Sequence, residues 1–316
     1  MFLGTYHNKL HGQSIYETLA VEQTYNLFSL HKKINSEVTL PIREENLIQI
    51  CDLAKSCLLE DPTVLRIKPR IHIIGDVRGN YNQIWRMVST NEPTDQFLFL
   101  GDYISKGKNS IELFTLILCM KLLAPKQIFL LRGSQETSKK AKSCGFEDEC
   151  NKRFSSEVYK KFLEVFECFP LAAIATNDEK TKSILFMNGG ISPSFLNIYQ
   201  LDTIQRPIKD IEGGIVHEIL FADPSSNINH FGSKKNSDNA YIFGSEAAHD
   251  FLKRNNFDQL IRSHKKGNRT YPFGNDHSVI SIYSAGGLNL LVREDMLCTF
   301  SRINDYTFEK NNIYNF

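Results

Sequence analysis

No C-x-x-C pair occurs among the seven cysteines of this 316-residue chain, and Lys plus Arg, at 37, almost cancels Asp plus Glu, at 36. Each shortage excludes something. Without paired spacing, the odd set of cysteines argues against a zinc or redox motif, and reduced, mostly buried thiols are expected. A net charge of +1 provides no broad field to attract nucleic acid or an anionic membrane, so neither is expected as a partner. The most apolar helical stretch, 113–124 (LFTLILCMKLLA), contains Lys121 and is too short to cross a bilayer. The amino terminus has neither the basic nor the apolar region of a secretory signal, and a cytoplasmic or nuclear location is expected. Repeats, heptads and Pro/Gly/Ser-rich linkers are also missing, which favours one domain.

What remains is ordinary globular composition: 41% hydrophobic, 23% charged, enough for one large core or two modest ones. Residues 44–60 (EENLIQICDLAKSCLLE) carry apolar side chains at helical spacing. From residue 71 a unit recurs: a short apolar run, a glycine with a polar residue, then a helical stretch. IHIIGD leads to NQIWRMVS, QFLFLGD to SIELFTLILCMKLL, and QIFLLRGSQE to helices around SEVYKKFLEVFECF. Such alternation predicts an α/β fold whose strands are buried on both faces. Later runs (SILFMNGG, QLIRSH, SVISIYSAGG, LNLLV and MLCTF) have fewer helices between them and suggest a second sheet, giving a central β-sandwich with helices outside.

Open α/β sheets build ligand sites at the carboxyl ends of their strands. Asp76, Asp102, Ser134, Gln135, Asn188 and His264 all stand at such ends. Each alone could be a loop cap; together they point to a site.

The same residues carry a resemblance. GDVRGN (75–80), GDYISKGKNS (101–110), LRGSQE (131–136), GFEDEC (145–150), MNGG (187–190), FADP (221–224) and RSHK (262–265) resemble, in order, the motifs GDxHG, GDYVDRG, LRGNHE, GFEDEC, HGG, WSDP and RAH of the phosphoprotein phosphatases. The likeness is greatest to the type-1 serine/threonine subgroup. It implies a calcineurin-like metallophosphoesterase fold, a metallophosphatase-like domain over 41–301, a partly helical extension over 1–40 and a short tail over 302–316.

The resemblance also implies a dinuclear centre, which this sequence alters. The positions matching the family's metal ligands are Asp76, Arg78, Asp102, Ser134, Asn188 and His264, and three of the six are changed in type. Arg78 is the gravest change, because a guanidinium stays protonated and has no lone pair to offer. Pointing inward at ~4 Å from a dication, it would be repelled by roughly 8 kcal/mol at an effective dielectric of 20. Arg78 either takes the metal's place or turns out to solvent. The family would bind two Mn, Fe or Zn ions; loss of both is expected here.

Acid chemistry is altered too. At the positions of the family's proton donor and its orienting carboxylate stand Gln135 and Ser105, and losing a general acid costs ~10² to 10⁴ in rate. Lys106 replaces a phosphate-clamping Arg, keeping charge but not the bidentate fork, and Ser237 aligns with a second such Arg. The expectation is a catalytically inactive pseudophosphatase that serves as a protein-binding, scaffold or regulatory subunit. Two alternatives stay open: slow hydrolysis by one metal on Asp102, Asn188 and His264, or a phosphopeptide reader using Arg78, Lys106, Arg132 and Arg262.

Type-1 phosphatases take regulators with a Val-x-Phe motif into an apolar groove as an added edge strand. The positions matching its lining are Ile184, Phe273, Ile280, Ile282, Leu290, Met296, Leu297, Cys298 and Phe300, all still apolar. The plainer alternative is that they are core positions of edge strands.

Overall fold

A computed structural model describes residues 22, 42–89, 95–105, 109–209, 211–234, 239–263, 271–274, 277–303 and 308–314. The expected extension over 1–40 lies, except for residue 22, outside the described residues. The helix expected over 44–60 forms as α1 (Glu44–Glu60), with Leu47, Ile50, Cys51, Ala54 and Leu58 buried along one stripe. Glu44 and Glu45 in its first turn complement the helix dipole.

Fifteen strands follow among the described residues: β1 (Val64–Ile67), β2 (Ile71–Ile74), β3 (Gln96–Phe99), β4 (Ile128–Leu130), β5 (Ala172–Thr176), β6 (Ser183–Met187), β7 (Asp223–Pro224), β8 (Phe231–Ser233), β9 (Tyr241–Phe243), β10 (Gln259–Arg262), β11 (Tyr271–Phe273), β12 (Val279–Ser281), β13 (Leu288–Val292), β14 (Cys298–Ile303) and β15 (Phe308–Tyr314). They build one six-stranded sheet in the order β15-β14-β13-β2-β3-β4, a second in the order β1-β5-β6-β10-β12-β11, and a small sheet β7-β9-β8. The two large sheets face each other. Ile71, Ile73, Leu98 and Leu290 from the first share one buried cluster with Leu65, Phe186, Ile261 and Ile280 from the second. Further clusters lie outside each sheet, under helices. The layered α/β sandwich is therefore the fold expected.

One assignment differs. The runs LNLLV and MLCTF, expected in the second sheet, form β13 and β14 of the first, because β13 pairs antiparallel with β2 through Leu290↔Ile73 and Leu291↔His72. An apolar run fits either inner face equally well, so its own pattern does not choose its neighbour.

β2, β3 and β4 run parallel, as do β6 and β10, so the carboxyl ends of each set lie together. The loop after β3 is anchored by Tyr103: its hydroxyl donates to Leu131 O at 2.8 Å, and its ring packs 5.7 Å from Phe114 and 5.4 Å from Phe169. All seven cysteines are free thiols, five of them buried. Among the described residues no helix is long and apolar enough to cross a membrane.

Candidate functional site

Five chain segments meet at the carboxyl ends of β2, β3, β4, β6 and β10. Backbone bonds join the first two loops: Val77 N and Arg78 N both donate to Asp102 O, at 3.3 and 3.0 Å, and Gly79 N donates to Tyr103 O at 2.8 Å. Arg78 and Asp102 each hold a left-handed backbone, at φ 46 and 56 degrees, which costs a non-glycine residue of order 1 kcal/mol or more. Close approach is enforced at the next loop, where a Cβ on Gly133 would collide with Asp102 N. Glu136, fully buried, fastens the same loops by accepting from Asp102 N at 2.8 Å, Tyr103 N at 2.9 Å and Gly133 N at 3.1 Å.

Arg78 points inward. Its Nε and Nη2 donate to Asp76 Oδ2 at 2.9 and 2.7 Å, and Nη2 also reaches Asp102 Oδ2 at 3.2 Å. Both carboxylates have no solvent exposure and the arginine side chain only 15%. Burial opposes the guanidinium charge, but Asp76 and then Asp102 outweigh it and hold its pKa above the ordinary arginine value.

The other carboxylate oxygens are engaged as well. Asp76 Oδ1 accepts from Ser263 Oγ, which itself accepts from Asp76 N at 2.6 Å. Asp102 Oδ1 accepts from Gln135 N at 2.9 Å and Ser134 Oγ at 3.2 Å. Asn188 is buried, with Oδ1 accepting from Ser134 N at 3.1 Å and Nδ2 donating to Leu100 O at 3.0 Å. Gln135 Nε2 lies 3.4 Å from Ser134 Oγ. Asp76, Arg78, Asp102, Ser134, Gln135 and Asn188 thus come together. Ser105 is tied through its backbone to the hydroxyl of Ser110, at 3.2 Å from its N–H and 3.0 Å from its carbonyl. His264, Lys106 and Ser237 lie outside the described residues.

Two participants went unassigned in the sequence. Ser263 joins the second sheet to Asp76, and its only signal was its place beside His264 in RSHK. Glu136 ends the motif LRGSQE, where its role as an acceptor for backbone N–H groups of two loops had no local mark.

The basic pocket of the phosphopeptide alternative is not assembled from the described residues. Arg262 has no exposure and donates to Gly189 O, to Ala222 O at 3.1 Å and to Asp223 Oδ1 at 2.9 Å. Arg132 is buried, donating to Glu136 O at 3.0 Å and Ile208 O at 2.9 Å; burial lowers its pKa to about 10.

Of the groove positions, Ile184, Ile280, Ile282, Leu290, Met296, Cys298 and Phe300 are brought together in the core between the sheets, none more than 5% exposed. Leu297 is half-buried. Phe273 is half-buried too, but packs with the outer cluster of the second sheet, its ring 6.1 Å from that of Phe243. The backbone of β15 pairs with β14 on the side away from β13.

A family model described as Metallophos, calcineurin-like phosphoesterase, matches residues 69–266, more than half of the chain. In fold, the chain is similar to a protein serine/threonine phosphatase from Saccharomyces cerevisiae with similarity to human phosphatase PP5: TM-score 0.71, 22% identity, over 87% of this chain and 91% of that one. It is also similar to a cold-active protein-tyrosine phosphatase of a psychrophile, Shewanella sp., with TM-score 0.53 and 15% identity, over 81% of this chain and 84% of that one.

Proposed function

The chain belongs to the calcineurin-like phosphoesterase family, and from that premise we propose that it is a member without ester-hydrolysing activity, working as a binding subunit for other proteins. The observation that carries this reading is the guanidinium of Arg78 between Asp76 and Asp102. The two carboxylates that the phosphatase resemblance assigns to metals are engaged by a cation of the protein itself.

The donors, as arranged, do not fit a metal pair. Arg78 brings a fixed positive charge, Ser134 donates to Asp102, and the amide oxygen of Asn188 is turned to a backbone N–H. Among the described residues of the cleft nothing activates water, and the amide of Gln135 has no acid proton to deliver. The phosphopeptide alternative gains nothing from the charges either. Two carboxylates and one guanidinium leave the described cleft net negative, which repels phosphate.

Turnover of an aryl phosphate and a phosphoserine peptide by the full chain with Mn²⁺ tests the first part. No release above the blank is expected; turnover that disappears in Asp102→Ala would overturn the reading. For the second part, a labelled synthetic peptide with a Val-x-Phe motif is expected to bind saturably by displacing β15 from the edge of β14, whereas a flat titration would remove that class of partner. Phe300→Ala is unsuited to this test, since Phe300 is core and its truncation removes packing worth about 3–5 kcal/mol.

A further inference from the structure

We infer that Arg78 is a built-in substitute cation, holding the cleft together as a bound dication would, and that the cleft stands one substitution from accepting a single divalent ion. The inference rests on the inactive reading above and adds what keeps the decayed site folded.

Charge is the first ground. Asp76 and Asp102 sit side by side with no solvent exposure, and a lone pair of buried like charges would drive the two loops apart. Arg78 contacts both through one nitrogen, Nη2, and doubles its hold on Asp76 through Nε. Its charge is permanent, so no accessible pH releases the pair for another cation.

Backbone geometry is the second. The direction of the residue at 78 is set by its N–H on Asp102 O at 3.0 Å and by its left-handed φ of 46 degrees, neither of which uses the side chain. A different side chain there would leave the backbone from the same place, two residues from Asp76 and beside the loop that carries Asp102. Arg78→His would replace the guanidinium with a neutral imidazole nitrogen beside two carboxylates, a donor set suited to Mn²⁺ or Zn²⁺. It would also remove the charge that repels such an ion.

Thermal unfolding of the full chain and of Arg78→His, each with and without about 1 mM MnCl₂, is read beside metal content after dialysis. The unchanged chain is expected to hold no Mn²⁺ and to keep its Tm. Without metal Arg78→His should melt lower; with Mn²⁺ it should regain about 4 °C or more and hold roughly one ion per chain. An Arg78→His protein that ignores Mn²⁺ overturns this inference and leaves the inactive reading standing. Mn²⁺ retained by the unchanged chain overturns both. Should Arg78→His fail to fold, the double variant Asp76→Asn with Asp102→Asn supplies the second measure. A Tm equal to that of the unchanged chain would show that the ion triad holds nothing together, and would overturn the inference; a fall of several degrees is expected.

Discussion

Asn188 Oδ1 accepts the backbone N–H of Ser134 at 3.1 Å, and so faces a neighbouring loop instead of the centre of the cleft. The same side chain donates to Leu100 O at 3.0 Å, which makes it a clip between the ends of β3, β4 and β6. A polar residue at the mouth of a family site is here a structural part.

Asn188→Leu, close in volume, should therefore destabilise. It would leave the Ser134 N–H and the Leu100 carbonyl buried without this partner, at about 1–3 kcal/mol for each group. Urea unfolding is expected to place the loss at about 2–4 kcal/mol. A variant as stable as the unchanged chain would show that the clip carries no weight.

Arg262 leads to a second expectation. Fully buried and paired at 2.9 Å with Asp223, which also holds Lys234 at 2.6 Å, it is a core residue. Arg262→Met should cost about 1–3 kcal/mol in urea unfolding, because the carbonyls of Gly189 and Ala222 lose this buried donor. Unchanged stability combined with weaker binding of a phosphopeptide would instead return Arg262 to a ligand pocket.

Stability should also depend on pH through Glu149. Burial, and next the neighbouring Glu112, push its pKa up to about 7, against the opposing charge of Arg153. Glu112 takes two contacts from Arg153 and leaves Glu149 one, at 3.1 Å, so Glu149 is the carboxyl that keeps its proton. The folded state then binds more protons than the unfolded chain between about pH 4.3 and 7, so this contribution to stability falls as pH rises through that window and levels off above it. Urea midpoints from pH 5 to 7.5 should decline less steeply in Glu149→Gln than in the unchanged chain. Parallel declines would refute the assignment.

Regular elements were evident from the sequence because their signals are local. Leu47, Ile50, Cys51, Ala54 and Leu58 recur at helical spacing, and they mark the buried stripe of α1. The run IHII, without alternation, matches β2, buried on both faces. Sheet membership of β13 was not evident: its partner across Leu290↔Ile73 is more than two hundred residues away in sequence, and nothing in LNLLV selects β2 over a strand of the other sheet.

The sequence by itself determined the strand-glycine-polar order, the ordered motifs that carry the phosphatase resemblance, and that Arg, Ser and Asn stand at three of the six positions which that resemblance assigns to metal ligands, because those are matters of residue identity and short spacing. Only the tertiary structure decided that Arg78 turns inward onto Asp76 and Asp102, that Asn188 and Arg262 are spent on structural bonds, and that the apolar groove positions largely lie between the sheets. A long side chain has many rotamers, and the choice among them rests on partners such as Asp102, 24 residues away, and on Ser263, 187 residues from the Asp76 it holds. Those partners come into reach only when the strands have paired.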